Sequence, residues 1–184
     1  MKKLIMTAAA VFAFGFANAQ EVKFGVKAGL NVANLGGDVK DASTKVGFQV
    51  GGLAEIKVSD KFAIQPELLF NSVGAKRNNI SMALNYISVP VMAKYFVAEQ
   101  FSLEAGPQVG ILASATASAN GQSVSIKDEF NTLDFGMNAG VGYDITENIV
   151  ASARYTFGVA NIIKDSPEFK GTNNVFSVAL GYKF

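Results

Sequence analysis

The chain has 184 residues, with 16 Lys and Arg against 15 Asp and Glu, for a net charge of +1. The charge forms no basic or acidic block, which leaves nothing for nucleic acid to bind. Cysteine and histidine are absent, which excludes a disulfide framework, thiolate metal sites and catalysis by Ser-His or Cys-His pairs.

The N-terminus reads MKKLIMTAAAVFAFGFANAQ. Lys2 and Lys3 precede an apolar run, Leu4 to Phe16, and Ala17-Asn18-Ala19 has the small-x-small form of a cleavage site. Residues 1–19 are therefore expected to be a cleaved signal peptide, and residues 20–184 one exported domain. Left uncleaved, the same run would be an N-terminal anchor, but it is short of the ~20 apolar residues of a spanning helix.

From Val22 onward the pattern is alternation, the period-two signature of strands. VKFGVKAGL sets Val22, Phe24, Val26, Ala28 and Leu30 on one face. VGFQVGGLAEI does the same with Val46, Phe48, Val50, Ala54 and Ile56, and FAIQPELLF with Phe62, Ile64, Pro66, Leu68 and Phe70. ISVPVMAKY gives Ile87, Val89, Val91, Ala93 and Tyr95; FSLEAGPQVGILA gives Phe101, Leu103, Ala105, Val109 and Ile111. LDFGMNAGVGY gives Leu133, Phe135, Met137, Ala139, Val141 and Tyr143; IVASARYTF gives Ile149, Ala151, Ala153, Tyr155 and Phe157. FSVALGYKF closes the series with Phe176, Val178, Leu180, Tyr182 and Phe184. The strand charges Lys23, Lys27, Glu55, Lys57, Glu67, Lys94, Glu104, Asp134, Arg154 and Lys183 all fall on the opposite face. Pro66, Pro90 and Pro107 each remove a ladder donor, so local bulges are expected there.

The connections alternate as well. Residues 58–61, 97–100 and 144–148 are tight turns, whereas 31–45, 71–80, 115–131 and 160–174 read as longer loops rich in Gly, Asn, Ser and Asp. An even strand number with alternating short and long connections predicts an all-β fold, an eight-stranded antiparallel up-and-down transmembrane β-barrel. The polar face is mostly Gly, Ala, Ser, Gln and Asn, which suits a narrow interior better than a solvated surface. The apolar face carries aromatics at both ends of the strands. Phe24, Phe62, Tyr95, Phe101, Tyr143, Tyr182 and Phe184 lie toward the short turns, and Phe48, Phe70, Phe135, Phe157 and Phe176 toward the long loops. Two such girdles belong to a membrane barrel. A soluble periplasmic ligand-binding barrel with the apolar face inward is the alternative. The last strand is expected to close the barrel against the first, because an open sheet edge cannot sit in lipid.

At FGVKAGLN, IQPELLF, LNYISVPVMAKYF, GPQVGILA and SVALGYKF the sequence resembles the porin-like outer-membrane β-barrel family, and more broadly the small OmpA/OmpX-type barrels. The resemblance spans roughly residues 20–184. It implies residence in the outer membrane of a Gram-negative cell envelope, with outer-membrane lipid and the insertion machinery as partners. It also implies that Val178, Leu180, Tyr182 and Phe184 form the terminal assembly signal read by that machinery.

No catalytic or metal-binding constellation stands out, and no cofactor is expected. Glu67 and Glu104 could pair as acid and base, but interior carboxylates are more often salt-bridge partners. Gly140-Val141-Gly142 sits inside a strand and opens no helix, so it is not a dinucleotide motif. The remaining constellation is an interior polar plug of Lys27, Glu55, Glu67, Lys94, Glu104 and Arg154, with Arg154 expected to pair with Glu104 or Glu67. The expected function is non-enzymatic: a structural or surface-interaction barrel whose external loops meet an unidentified ligand. A narrow porin-like pore is the alternative.

Overall fold

The computed structural model describes residues 21–37, 43–77, 80–164 and 170–184. The expected signal peptide, residues 1–19, lies outside the described residues. The described residues form nine strands: β1 (Glu21–Gly37), β2 (Ser43–Ser59), β3 (Phe62–Arg77), β4 (Ile80–Ala98), β5 (Phe101–Ala119), β6 (Gln122–Ser125), β7 (Leu133–Asp144), β8 (Ile149–Gly158) and β9 (Gly171–Lys183). Eight of them make a ring in which each strand pairs antiparallel with its chain neighbour, and β9 returns to pair with β1 from Gly25↔Lys183 to Gly37↔Gly171. The short β6 stands outside the ring, folded back on the far end of β5 through Thr116↔Ser125 to Ala119↔Gln122.

The ring is staggered. A row of paired positions from Lys27 runs through Gly51, Leu69, Ser88 and Gly110 to Asp134 on β7. The opposite walk from Lys27, through Gly181 and Val150, reaches β7 at Asp144. The two walks therefore miss by ten residues, and the strands must tilt to close. At the short-turn end, closure is tied by backbone bonds. The amide of Lys183 donates to the Asn148 carbonyl at 2.7 Å, and that of Phe184 to the Phe24 carbonyl at 2.8 Å.

Two expectations need correction. The prolines cause no bulges. Register is unbroken through Pro66↔Val91, Pro90↔Gln108 and Pro107↔Met137. A missing N–H deletes a hydrogen bond but inserts no residue, so the ladder skips without slipping. Beside Pro107, a Cβ on Gly106 would overlap the Val91 carbonyl oxygen, so only glycine permits that approach. The actual register shifts lie between Thr44 and Gln49, Lys57 and Ser59, Asn85 and Tyr86, and Phe96 and Ala98. At the third, Ala113 is passed over and its carbonyl accepts from Lys127 Nζ at 3.0 Å.

The long loops are also shorter than their composition suggested. Much of 31–45, 71–80 and 115–131 is strand, because β1 to β5 run on past the aromatic girdle on that side. Gly, Asn and Ser lower strand propensity, but ladder pairing with both neighbours overrides it.

The two faces are opposite in chemistry. Phe24, Leu30, Leu68, Val89, Leu103, Met137 and Leu180 all point outward and are exposed. In water each would forgo much of the ~1.5–3 kcal/mol that burial of such a side chain yields. That outward face overturns the soluble-barrel alternative. The inner face is polar toward the short turns and apolar toward the other end. The apolar part is a cluster of Ala33, Leu35, Val73, Ala75, Leu84, Tyr86, Leu112, Ala115, Ile162 and Val175.

Candidate functional site

The lumen near the short-turn end contains a continuous chain of ion pairs. Lys27 Nζ lies 3.5 Å from Glu67. Arg154 bridges two carboxylates, with Nη2 at 2.8 Å from Glu67 Oε1 and Nε at 2.6 Å from Glu104 Oε2. Glu104 also lies 3.6 Å from Lys94, which pairs with Glu55. Glu55 accepts from Lys183 at 3.2 Å, and Lys183 reaches Asp144 at 3.0 Å. The order Lys27, Glu67, Arg154, Glu104, Lys94, Glu55, Lys183, Asp144 alternates in sign and sums to zero. Each strand of the ring supplies one member. Gln65 cross-links the chain, donating to Glu67 at 2.6 Å and accepting from Lys94 at 3.2 Å. Lys94 and Glu55 are 1% exposed. Charges this buried are tolerated only when paired and hydrogen-bonded.

Local sequence makes the geometry possible. Lys94, Glu104, Gly140, Arg154 and Ser177 lie in one cross-strand row. Gly140 thus separates Glu104 from Arg154, and a Cβ there would meet the Ala153 carbonyl and press on Arg154 Cγ. Gly142 leaves similar room, since its Cβ would stand 2.6 Å from Glu104 Oε1. Glycine is what lets a guanidinium lie flat across a neighbouring strand and hold two carboxylates with its planar fork.

All six residues singled out from the sequence, Lys27, Glu55, Glu67, Lys94, Glu104 and Arg154, are inward, buried and joined in this chain. Two further members, Lys183 and Asp144, were missed. Parity places Lys183 on the polar face with the other strand charges, but it was left out of the interior set. Asp144 was assigned to a turn, whereas it ends β7.

Above the chain lies a cavity of about 40 Å³ whose lining includes Asn31, Ser88, Gln108, Asp134, Asn138 and Thr156. Above that lies the apolar cluster, with Met82, Ile126, Phe130 and Ile163 packed against it. Two segments outside the ring are stitched over it. Phe130 forms a bridge with Ile163, Asn131 Nδ2 donates to the Asn161 carbonyl at 2.9 Å, and the Lys164 amide donates to the Glu129 carbonyl at 3.0 Å. Sequence reasoning missed this cap because its residues fall in segments that read as loops.

The terminal residues Val178, Leu180, Tyr182 and Phe184 alternate outward and are exposed. Of the four long connections, residues 38–42, 78–79 and 165–169 lie outside the described residues. The β5–β6 hairpin is described, and its tip is Asn120-Gly121, both at positive φ.

A family model described as outer membrane protein beta-barrel domain matches residues 16–164. Among solved structures, Neisserial surface protein A is similar at a TM-score of 0.66 and 16% identity, over 90% of this chain and 100% of that one. Ail, the attachment invasion locus protein of Yersinia pestis, is similar at a TM-score of 0.55 and 19% identity, over 90% of this chain and 100% of that one. A second Ail structure, in complex with the heparin analogue sucrose octasulfate, is similar at 0.55 and 18% over the same shares. A comparison with curated proteins gave no match. The closed ring of eight strands, its apolar outer face and the family match agree: the chain belongs to the outer-membrane β-barrel domain family and resides in the cell outer membrane.

Proposed function

We propose that this is a non-enzymatic barrel that acts at its external end, with a lumen plugged by its own side chains. The charge chain is the observation that carries this reading. A conducting path needs solvated charges that exchange ions. Here Lys27, Glu55, Glu67, Lys94, Glu104 and Arg154 are buried and engaged with one another. An eight-stranded barrel is just wide enough for its side chains to fill it. Glu67 and Glu104 are both held by Arg154, which suits structural partners better than an acid–base pair.

With the lumen shut, interaction falls to what projects outside: the β3–β4 and β5–β6 hairpins and the segments around 126–132 and 159–164. Attachment is what the name of Ail states, and an attachment or surface-contact role is the reading adopted for this chain. Residues 1–19 act as a cleaved leader in this proposal, and Val178, Leu180, Tyr182 and Phe184 as the signal read by the insertion machinery. Single-channel recording in planar bilayers tests the plug. Wild-type protein should give no resolved steps; regular steps would establish the narrow-pore alternative instead.

A further inference from the structure

We infer that the cavity between the charge chain and the apolar cap is a monovalent-cation site with Asp134 as its charged ligand. The charge chain below is neutral within itself, and Arg154, which also lines the cavity, is already held by Glu67 and Glu104. Asp134 has no cationic partner among the described residues. Its Oδ2 accepts from Asn173 Nδ2 at 2.8 Å, while its Oδ1 is buried and accepts from no donor among the described residues. A carboxylate oxygen withdrawn from water without compensation is costly.

A second group points the same way. Asn31 is 1% exposed and lines the same cavity, and its Oδ1 is likewise without a donor among the described residues. Its orientation is fixed, because Nδ2 donates to the Phe48 carbonyl at 3.1 Å and to Asn71 Oδ1 at 3.2 Å. The side chain cannot turn over without losing both bonds. The lining thus offers two spare acceptors, one of them charged, beside the oxygens of Ser88, Gln108 and Thr156. One carboxylate among neutral oxygens suits a singly charged hard cation; calcium sites gather more carboxylate ligands, and magnesium sheds its waters reluctantly. A cavity of about 40 Å³ holds an ion with one or two waters, since one water needs roughly 10–15 Å³ on this scale.

The test uses the full barrel refolded in detergent. Thermal unfolding is followed by gel mobility in sodium or potassium chloride, and in N-methylglucamine chloride at equal ionic strength. The wild-type midpoint should rise by a few degrees in the small cations, and Asp134→Asn should fold and lose that response. An equal wild-type midpoint in all three salts, or an undiminished response in Asp134→Asn, overturns the inference; a protonated Asp134 hydrated by water alone would give the first result. Should the variant fail to fold, thallium-soaked crystals of the wild type decide the matter. An anomalous peak beside Asp134 is expected, and peaks confined to the protein surface overturn the site.

Discussion

The two ends of the lumen solve one problem by opposite means. Near the short turns the inner face carries eight charges, one from each strand of the ring, every one dependent on the geometry of its neighbours. Toward the other end it carries Leu84, Leu112, Ile162 and their apolar neighbours, which need only to fit. The first arrangement is directional and depends on register; the second is non-directional and tolerates change at constant volume. A charge chain drawing on every strand forms only when the whole ring has closed in register. The cap needs only part of the ring together with the segments that fold over it.

The sharpest way to break this contrast is at Arg154, the centre of the chain. Arg154→Met should cost about 3–5 kcal/mol, because it leaves two carboxylates without their shared partner. Urea unfolding in liposomes, followed by gel mobility, measures it. Adding Glu104→Gln should recover part of the loss, and strictly additive losses in that cycle would mean the pair is not coupled. Arg154→Lys should lose most of what Arg154→Met loses, since an ammonium cannot fork between Glu67 and Glu104.

The same assay applied to the cap should give a different pattern. Leu84→Ala should cost about 2–5 kcal/mol through the cavity it leaves. Leu112→Met, which conserves volume, should cost less than ~1.5 kcal/mol. If Leu112→Met proved as damaging as Arg154→Lys, the distinction between directional and non-directional filling would collapse.

A third change tests the outer face against both. Val89→Arg places a guanidinium in the apolar band and should cost about 2–4 kcal/mol near the midplane. Ser88→Arg, at the adjacent inward and buried position, should fail through crowding instead. Liposome insertion as efficient for Val89→Arg as for wild type would overturn the outward assignment. The smallest stability effect is expected at Phe184, which is 70% exposed. Phe184→Ala should scarcely change unfolding in detergent yet lower the yield of assembled protein in the outer membrane. Equal losses in both assays would reduce Phe184 to a packing residue.

The charge chain is largely legible in the sequence because parity is simple. A residue two positions from another faces the same way, so Lys27, Glu67 and Arg154 had to share a side once their strands were recognised. The partner of Arg154 was narrowed to two carboxylates, and the structure has it holding both. Bulges at Pro66, Pro90 and Pro107 were not found, because a rule about lost hydrogen bonds says nothing of register. The cap stayed hidden for another reason. Its residues sit among Gly, Asn and Ser, whose local preference is for turns; strand pairing holds Ala33, Leu35, Val73 and Ala75 extended, while Phe130 and Ile163 are joined to each other outside the ring.

What the sequence by itself determined is the set of faces. Alternation places each side chain in or out, and the inventory of outward Phe, Leu and Val against inward Gly, Ser and Lys leaves a barrel in lipid as the consistent solution. That information is local, repeated every two residues, and survives any error in where a strand ends. What only the tertiary structure decided is how far along each strand its neighbours sit. The ten-residue stagger brings Lys183 and Asp144 beside Glu55, sets Gly140 between Glu104 and Arg154, and carries strands past the girdle to build the cap. Stagger is a property of closure around eight strands at once, and no single segment encodes it.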